Sequence, residues 1–225
     1  MSGTSPVFYR HPSEPAVDYP ESLLSPPRFD TCSTDTAELM QVLDDNIATA
    51  WKVARRFCLT VNLGADTQRF VHANIIHDTM TAVMYRLLHM SFAANSIDEA
   101  ARQGLLAFCY HIFLQWQDVK LMHYDFPRIF KAAIERLSSD NKSLPRLLLW
   151  LLMVGAVSVF DIAADKWLRD ALRERSERCG IRTWKEMQAL LKSFMWIALL
   201  DDQTGKKIFE SLELGKRSLK GWSAA

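Results

Sequence analysis

The stretch that decides the fold is LLLWLLMVGAVSVF, residues Leu147–Phe160. It is almost continuously apolar, and a helix that is apolar on every side is either buried inside a protein or spans a membrane. The stretch is shorter than the roughly 20 residues that a spanning helix needs. Arg146 and Asp161 also close it at its two ends. It therefore predicts the central helix of a bundle, opened by Pro145 in its first turn, and no membrane association is expected.

Amphipathic patterns before this stretch predict the helices that surround it. Apolar residues recur there at steps of three and four, the spacing of one face of an α-helix. Gly64 is expected to end the first helix. Ser96 and Glu99 are expected to open the third helix as a capping box, in which each side chain bonds the backbone amide of the other. The predicted helices run over about 39–61, Thr67–Phe92, 96–119 and 127–137.

The sequence after the apolar stretch continues in helices separated by turns. A charged helix is predicted over Asp165–Arg178, with Gly180 supplying its stop. Thr183 and Glu186 form a second capping box at the start of a seventh helix. A short eighth helix is expected after Gly205. No alternating run is long enough for a strand, so the sequence predicts an all-α fold, an irregular bundle of about seven or eight helices.

Composition divides the chain into three parts. Six of the eight prolines lie before residue 28, and residues 1–35 show no apolar periodicity, so this segment is expected to be largely disordered. Residues 36–214 form the predicted helical domain, and residues 215–225 a small basic tail. The chain is 49% hydrophobic and 24% charged, a balance that suits one sizeable core.

Neither the charge nor the cysteine spacing points to nucleic acid or a metal. The formal net charge is +1, so no global field favours binding to an anionic partner. The basic residues of the Asp165–Arg178 helix alternate with acidic ones, which is typical of a solvated, ion-paired face. The cysteines lie at no metal-ligand spacing and are predicted to be reduced, mostly buried thiols. They are Cys32, Cys58, Cys109 and Cys179.

Residue patterns that would indicate catalysis or metal binding are weak. The pairs Asp44-Asp45 and Asp201-Asp202 lack the third acid and the second motif with which terpene cyclases bind magnesium diphosphate. Both pairs are expected to be solvent-facing acids at helix edges. His77-Asp78 would suit a metal phosphohydrolase only with further ligands. The histidines and acids loosely available for that role are His111, His123, Asp118 and Asp125. The sequence thus predicts no catalytic residue, no metal and no cofactor, and it leaves any cofactor-binding residues unknown.

Three stretches resemble the C-terminal regulatory region of fungal zinc-cluster transcription factors. They are LLAFCYHIFLQWQDV (Leu105–Val119), PRLLLWLLMVGAVSVF (Pro145–Phe160) and CGIRTWKEMQALLKSFMWI (Cys179–Ile197). The last stretch continues in register as DQTGKKIF (Asp202–Phe209). Their order and spacing match that family over about residues 70–212. Taken together and in order, they are fairly specific.

The resemblance implies an all-α, non-enzymatic regulatory module that works in the nucleus. Its expected contacts are protein partners of the transcription machinery, another transcription factor or a small effector. In that family a separate six-cysteine binuclear zinc cluster, opening C-x2-C-x6-C, binds DNA. That motif is absent here, since Cys32 and Cys58 are 26 residues apart, and no direct DNA contact is expected of this chain. The chain would be either a piece of a longer factor or a stand-alone relative without the DNA-binding domain.

Two alternatives from other classes stay open. The first is an α-helical enzyme or ligand-binding protein of a fungal secondary-metabolite pathway, with tryptophans lining a polar-edged cavity. The second is a scaffold or dimerisation module. The apolar seam along Ala73–Met90 suits lengthwise packing on a second copy, a homodimer, although packing within one chain explains the seam equally well.

Overall fold

A computed structural model describes residues 18–24, 33–69, 71–114, 125–139 and 144–220 of the chain. Within these ranges the backbone forms α-helices and no strand, so the predicted all-α class is confirmed. The described residues form ten helices, which is more than the seven or eight expected. They are α1 (Glu21–Leu24), α2 (Thr34–Val42), α3 (Asp45–Asp66), α4 (Ala73–His89), α5 (Ile97–Leu114), α6 (Phe126–Ser139), α7 (Pro145–Ser158), α8 (Lys166–Arg178), α9 (Trp184–Phe194) and α10 (Ala198–Lys220).

Helix α7 lies at the centre of the bundle, as its apolar sequence predicts. Every residue from Leu147 to Ala156 is buried, and α7 packs against α5, α6, α8, α9 and α10. Full burial of one leucine or isoleucine side chain stabilises a fold by about 1.5–3 kcal/mol, so this helix is a major source of stability. Pro145 occupies its first turn. Among the described residues, no helix combines the length and the hydropathy that crossing a bilayer requires.

The predicted helix over 39–61 is two helices, because the chain bends between α2 and α3. Leu43 has an extended backbone, with ψ at 146°. The carboxylate of Asp44 then accepts a hydrogen bond of 2.9 Å from the amide of Asn46 and caps α3. A capping aspartate satisfies an amide that the helix itself leaves unpaired, which favours a new helix start over a continuous one. The backbone N–H of Asp44 donates to Asp98 at 2.8 Å, so α5 holds this bend as well.

Two glycines expected at helix boundaries lie inside helices instead. Gly64 is buried within α3, where an added Cβ would lie 2.9 Å from the carbonyl oxygen of Arg69. Gly205 lies well inside α10, and its Cβ would lie 2.7 Å from the ring of Trp196 and 2.8 Å from that of Trp184. Gly64 lies two residues before the end of α3, and the Arg69 amide bonds its carbonyl at 2.8 Å in the turn that closes the helix. The boundary predicted at Gly205 was wrong, because close packing against two indole rings, and not helix termination, requires the absence of a side chain there.

Helix ends with complete local signals are confirmed. At the start of α9, Thr183 and Glu186 form the predicted capping box. The backbone amides of Arg182 and Thr183 donate to the Glu186 carboxylate and thereby lower its pKa. At the end of α8, Gly180 has the left-handed φ of 69°, which glycine adopts without strain. The amide of Ile181 then bonds the carbonyl of Ser176 and closes the turn.

Two other predictions of helix boundaries agree with the structure only in part. The amide of Glu99 donates to Ser96 at 3.1 Å, but the Glu99 carboxylate pairs with Arg102 at 2.7 Å and does not complete the capping box. The second predicted helix, Thr67–Phe92, is shorter in the structure and runs over Ala73–His89. Gln68 has a φ of 54° just before it, a left-handed conformation that no α-helix contains.

Part of the segment predicted to be disordered is folded. Glu21–Leu24 form the single turn α1, which packs on α3, and Tyr19 and Leu23 are buried there. The prediction of disorder for residues 1–17 and 25–32 concerns positions outside the described ranges. The same is true of residues 221–225 in the predicted basic tail, whereas the backbone of α10 continues to Lys220.

We expect the substitution Gly205→Ala to destabilise the protein by about 1–2 kcal/mol. A new methyl group must displace two indole rings, a cost of about 1–3 kcal/mol that the better helix propensity of alanine only partly offsets. The free energy of unfolding in urea measures the effect. Thr204→Ala, at the exposed neighbouring position, is the control and should change it by less than about 0.5 kcal/mol. A Gly205→Ala protein as stable as the control would mean that the rings have room to spare.

Candidate functional site

Three residues that belong to no helix run through the interior of the protein. Met195, Trp196 and Ile197 join α9 to α10, and each is at most 1% exposed. We call them the buried connector. Helical residues satisfy their own backbone N–H and C=O groups, but a buried non-helical segment depends on other partners. Two of the buried polar side chains in the described part of the chain, His111 and Asp201, lie beside the buried connector.

Side chains from α7 and α3 bond the backbone of the buried connector. The indole Nε1–H of Trp150 donates to the Met195 carbonyl at 2.8 Å. The side-chain amide of Asn62 makes two bonds in the same region. Its Nδ2 donates to the Trp196 carbonyl at 2.7 Å, and its Oδ1 accepts from the Ala198 amide at 3.0 Å. Asn62 thus spans the start of α10 with one donor and one acceptor, both supplied by its side-chain amide.

Asp201 ties the buried connector to α5. Its Oδ2 accepts from the Ile197 amide at 3.1 Å, and its Oδ1 accepts from His111 Nε2 at 2.6 Å. The side chains of Asp201 and His111 are only 1% and 7% exposed. A carboxylate buried to this extent needs charge-assisted hydrogen bonds to offset the loss of water. Asp201 also lies in the first turn of α10, where the helix dipole favours a negative charge.

The interpretation of Asp201-Asp202 as solvent-facing acids is wrong. Asp202 is partly buried, and its Oδ1 accepts from the indole Nε1–H of Trp196 at 2.8 Å. Its Oδ2 accepts from Gln188 Nε2 at 2.6 Å. Both acids are therefore used to hold the buried connector against α9 and α5. Asp44 and Asp45, the other predicted pair, are exposed at the start of α3 as expected.

Cys58 completes the surroundings of the buried connector from α3. The backbone amide of Trp196 hydrogen-bonds to its sulfur. Burial raises the pKa of the Cys58 thiol well above its usual value, and the nearby charge of Asp201 raises it further, while Arg55 opposes this shift. Burial also raises the pKa of the Cys109 thiol to about 12. Both thiols are protonated at neutral pH, and a protonated thiol is a poor nucleophile.

Cys58, His111 and Asp201 are the residue types of a cysteine–histidine–acid triad, a combination that the sequence analysis did not find. His111 and Asp201 are 90 positions apart, on α5 and α10, and no motif links them. The buried, protonated thiol and the structural bonds of Asp201 favour a role in stability over one in nucleophilic catalysis. The predicted burial of free thiols is confirmed for Cys58 and Cys109, whereas Cys179 is half-buried and Cys32 lies outside the described residues.

The residues considered for a metal phosphohydrolase do not converge. His77 and Asp78 are 78% and 66% exposed on α4, whereas His111 is buried on α5. Asp125 pairs with Arg128 at 3.3 Å at the start of α6. His123 and Asp118 lie outside the described ranges. Within those ranges, no group of three or more histidine, cysteine or acidic side chains is arranged to hold a metal ion.

Aromatic rings fill the space beside the buried connector. The ring centroids of Trp51 and Trp150 are 5.0 Å apart, and those of Trp150 and Phe194 are 6.2 Å apart. Trp51, Trp150 and Trp196 lie in the core, each at most 1% exposed. The indole N–H groups of Trp150 and Trp196 have the acceptors that buried indoles require. That of Trp51 has no acceptor among the described residues.

Helix α8 carries the ion-paired face that its alternating charges predict. Asp170 pairs with Lys166 and with Arg173, and Glu174 pairs with Arg178 at 2.9 Å. Basic side chains of α8 thus pair with acidic side chains of the same helix. Such a face offers few unpaired cations to a phosphate backbone.

No family model, no curated protein and no solved structure matches the chain. The resemblance to the regulatory region of fungal zinc-cluster factors therefore remains a prediction from the sequence. The contacts of the described residues are the remaining basis for a functional proposal.

We expect Asp201→Ala to lower the free energy of unfolding by about 3–5 kcal/mol, because it leaves His111 and the Ile197 amide without their buried acceptor. Asp201→Asn should cost less, about 1–2 kcal/mol, because an amide can accept from Ile197 and donate to the imidazole. Urea unfolding measures both. Asp66→Ala, at an exposed acid of α3, is the matched control. If Asp201→Ala costs no more than Asp66→Ala, the buried pair does not hold the buried connector.

Proposed function

We propose that the chain is a non-enzymatic transcription-regulatory domain, similar to the regulatory region of fungal zinc-cluster factors. It acts in the nucleus through contacts with protein partners of the transcription machinery, with another transcription factor or with a small effector, and it does not touch DNA itself. The observation that carries the proposal is the position, within the fold, of the segments that carry the resemblance. These segments supply the second half of α5, all of α7 and α9, and the buried connector. Helix α7, at the centre of the bundle, packs on both α5 and α9.

The use of the buried polar residues supports a binding role. Asp201, Asp202 and Asn62 bond the backbone or the indole of the buried connector, and His111 bonds Asp201. Their chemistry is thus committed to holding the fold. Function would then depend on the surface of the bundle, as it does in a regulatory module that binds partners.

One observation favours the alternative of an enzyme or ligand-binding protein, namely the grouping of Cys58, His111 and Asp201 around the buried connector. That role would require the buried connector to move, since all three side chains are buried. The homodimer remains a proposal as well. The seam on α4 packs on α3 and α5, with Val83 and Leu87 buried, so packing within the chain already accounts for it.

We expect this chain, fused to an unrelated DNA-binding domain, to change transcription of a reporter gene several-fold relative to that domain alone. A regulatory domain works through its partners wherever it is tethered, which is why a foreign DNA-binding domain suffices. The same fusion carrying Asp201→Ala, which weakens the fold, is the control and should act less.

Two outcomes would contradict the proposal. The first is an unchanged reporter when the intact fusion protein is present in the nucleus. The second is tight binding of the purified chain to duplex DNA with a steep dependence on salt, because such a slope reports several phosphate contacts.

A further inference from the structure

Residues Asp18–Leu24 form a short peptide on the surface of the bundle, which we call the strap. Eight residues, 25–32, separate it from the described residues that lead into α2. The side chains of Tyr19 and Leu23 are only 7% and 4% exposed, so the strap is anchored at two points. Its single helical turn, α1, packs on α3. A helix of one turn is not stable alone in water, and the surface beneath must hold its conformation.

The first anchor of the strap is an acidic and aromatic pair recognised by Arg86 of α4. The guanidinium carbon of Arg86 lies 4.4 Å from the centroid of the Tyr19 ring, a cation–π contact. Its Nη2 is 3.5 Å from Asp18 Oδ1. The Tyr19 hydroxyl is buried and has no hydrogen-bond partner among the described residues. The site therefore accommodates an aromatic ring well and gains nothing from the hydroxyl.

The second anchor is the pair of leucines at the end of α1. The Leu23 side chain is buried, while Leu24 is 47% exposed. Arg56 of α3 donates from Nη1 to the carbonyls of Leu23 and Leu24, at 2.8 and 2.5 Å. A helix leaves its last carbonyls unpaired, and here an arginine of the bundle satisfies them. Arg86 and Arg56 thus contact the two ends of the strap, as side chains in a peptide-binding groove do.

We propose that the surface of α3 and α4 beneath the strap is a peptide-binding groove that the chain's own strap occupies in the absence of a partner. The ligand it fits is a segment of a partner protein with an acidic residue followed by an aromatic one, and a leucine four positions after the aromatic. The groove selects this chemistry because Arg86 contacts the acidic and aromatic pair, and the surface that buries Leu23 accommodates the leucine. The inference rests on the proposed function in that it names the partner class of a domain that acts by protein contacts.

The strap competes effectively with such a partner because it is covalently tethered to the groove. A peptide on a short linker has an effective concentration of about a millimolar at its own binding site. It therefore raises the apparent dissociation constant of a free competitor by a factor of one plus that concentration divided by the dissociation constant of the tethered peptide. For a strap peptide that binds with a dissociation constant of about 100 μM, the factor is about 10. The groove is then closed to weak ligands and open to a partner that binds more tightly than the strap.

The experiment uses the full chain and a fluorescein-labelled peptide of the strap sequence, VDYPESLLS, followed by fluorescence anisotropy. The chain carrying Tyr19→Ala and Leu23→Ala has an emptied groove and should bind the peptide about tenfold more tightly than the unmodified chain. A peptide with phenylalanine in place of the tyrosine should bind about fivefold more tightly again, because no hydroxyl is buried without a partner. Adding Arg86→Ala to the emptied chain should weaken binding, whereas Arg128→Ala, an exposed arginine of α6, should leave it unchanged.

A second variant keeps the test decisive if the emptied chain does not fold. Tyr19→Phe in the full chain should hold the strap more firmly and bind the labelled peptide more weakly than the unmodified chain does. Equal peptide affinities across all these chains, or binding that Arg86→Ala leaves unchanged, would overturn the groove. A failed reporter experiment with intact peptide binding would overturn the transcriptional role and leave the groove in place, so the two failures are distinguishable.

Discussion

The need to bond a non-helical backbone inside an all-helical protein is the constraint on which the rest of the structure depends. The buried connector meets it with side chains from α3, α7 and α10, and Asp201 extends the network to His111 on α5. Because each partner lies on a different helix, the relative positions of those helices are fixed by hydrogen-bond geometry as well as by apolar packing. A buried polar network that is fully satisfied specifies one arrangement, whereas apolar contacts alone tolerate several.

The sequence predicts those parts of the fold whose causes are local. The apolar run of α7, the capping box of Thr183 and Glu186, and the glycine stop after α8 all act within a few residues, and all three are confirmed. Gly205 misled because a glycine at a helix end and a glycine under a neighbouring ring look alike in sequence. Only tertiary packing distinguishes the two uses.

The polar network of the buried connector was almost wholly beyond sequence reasoning. Its partners are separated by up to 136 positions along the chain, as for Asn62 and Ala198, and neither residue belongs to a motif. The one usable signal is the tryptophans themselves, because a buried indole needs an acceptor, and Trp150 and Trp196 both have one. It does not reveal that the acceptor of Trp150 is a backbone carbonyl or that the acceptor of Trp196 is the Asp202 carboxylate. The contacts that make up the strap groove were missed for the same reason, since Tyr19 lies in a proline-rich segment without periodicity.

Hydrogen exchange at the backbone amides of Ile197 and Ala198 measures directly whether the buried connector holds the bundle together. If the buried connector holds the bundle together, these amides open only when the whole protein unfolds, and their protection equals that of the amides in α7. Exchange of the two amides by local opening, while α7 stays protected, would contradict the account. The interior around Cys58, His111 and Asp201 would then be accessible in the native protein, and an enzyme or ligand-binding protein would become the better explanation of the fold.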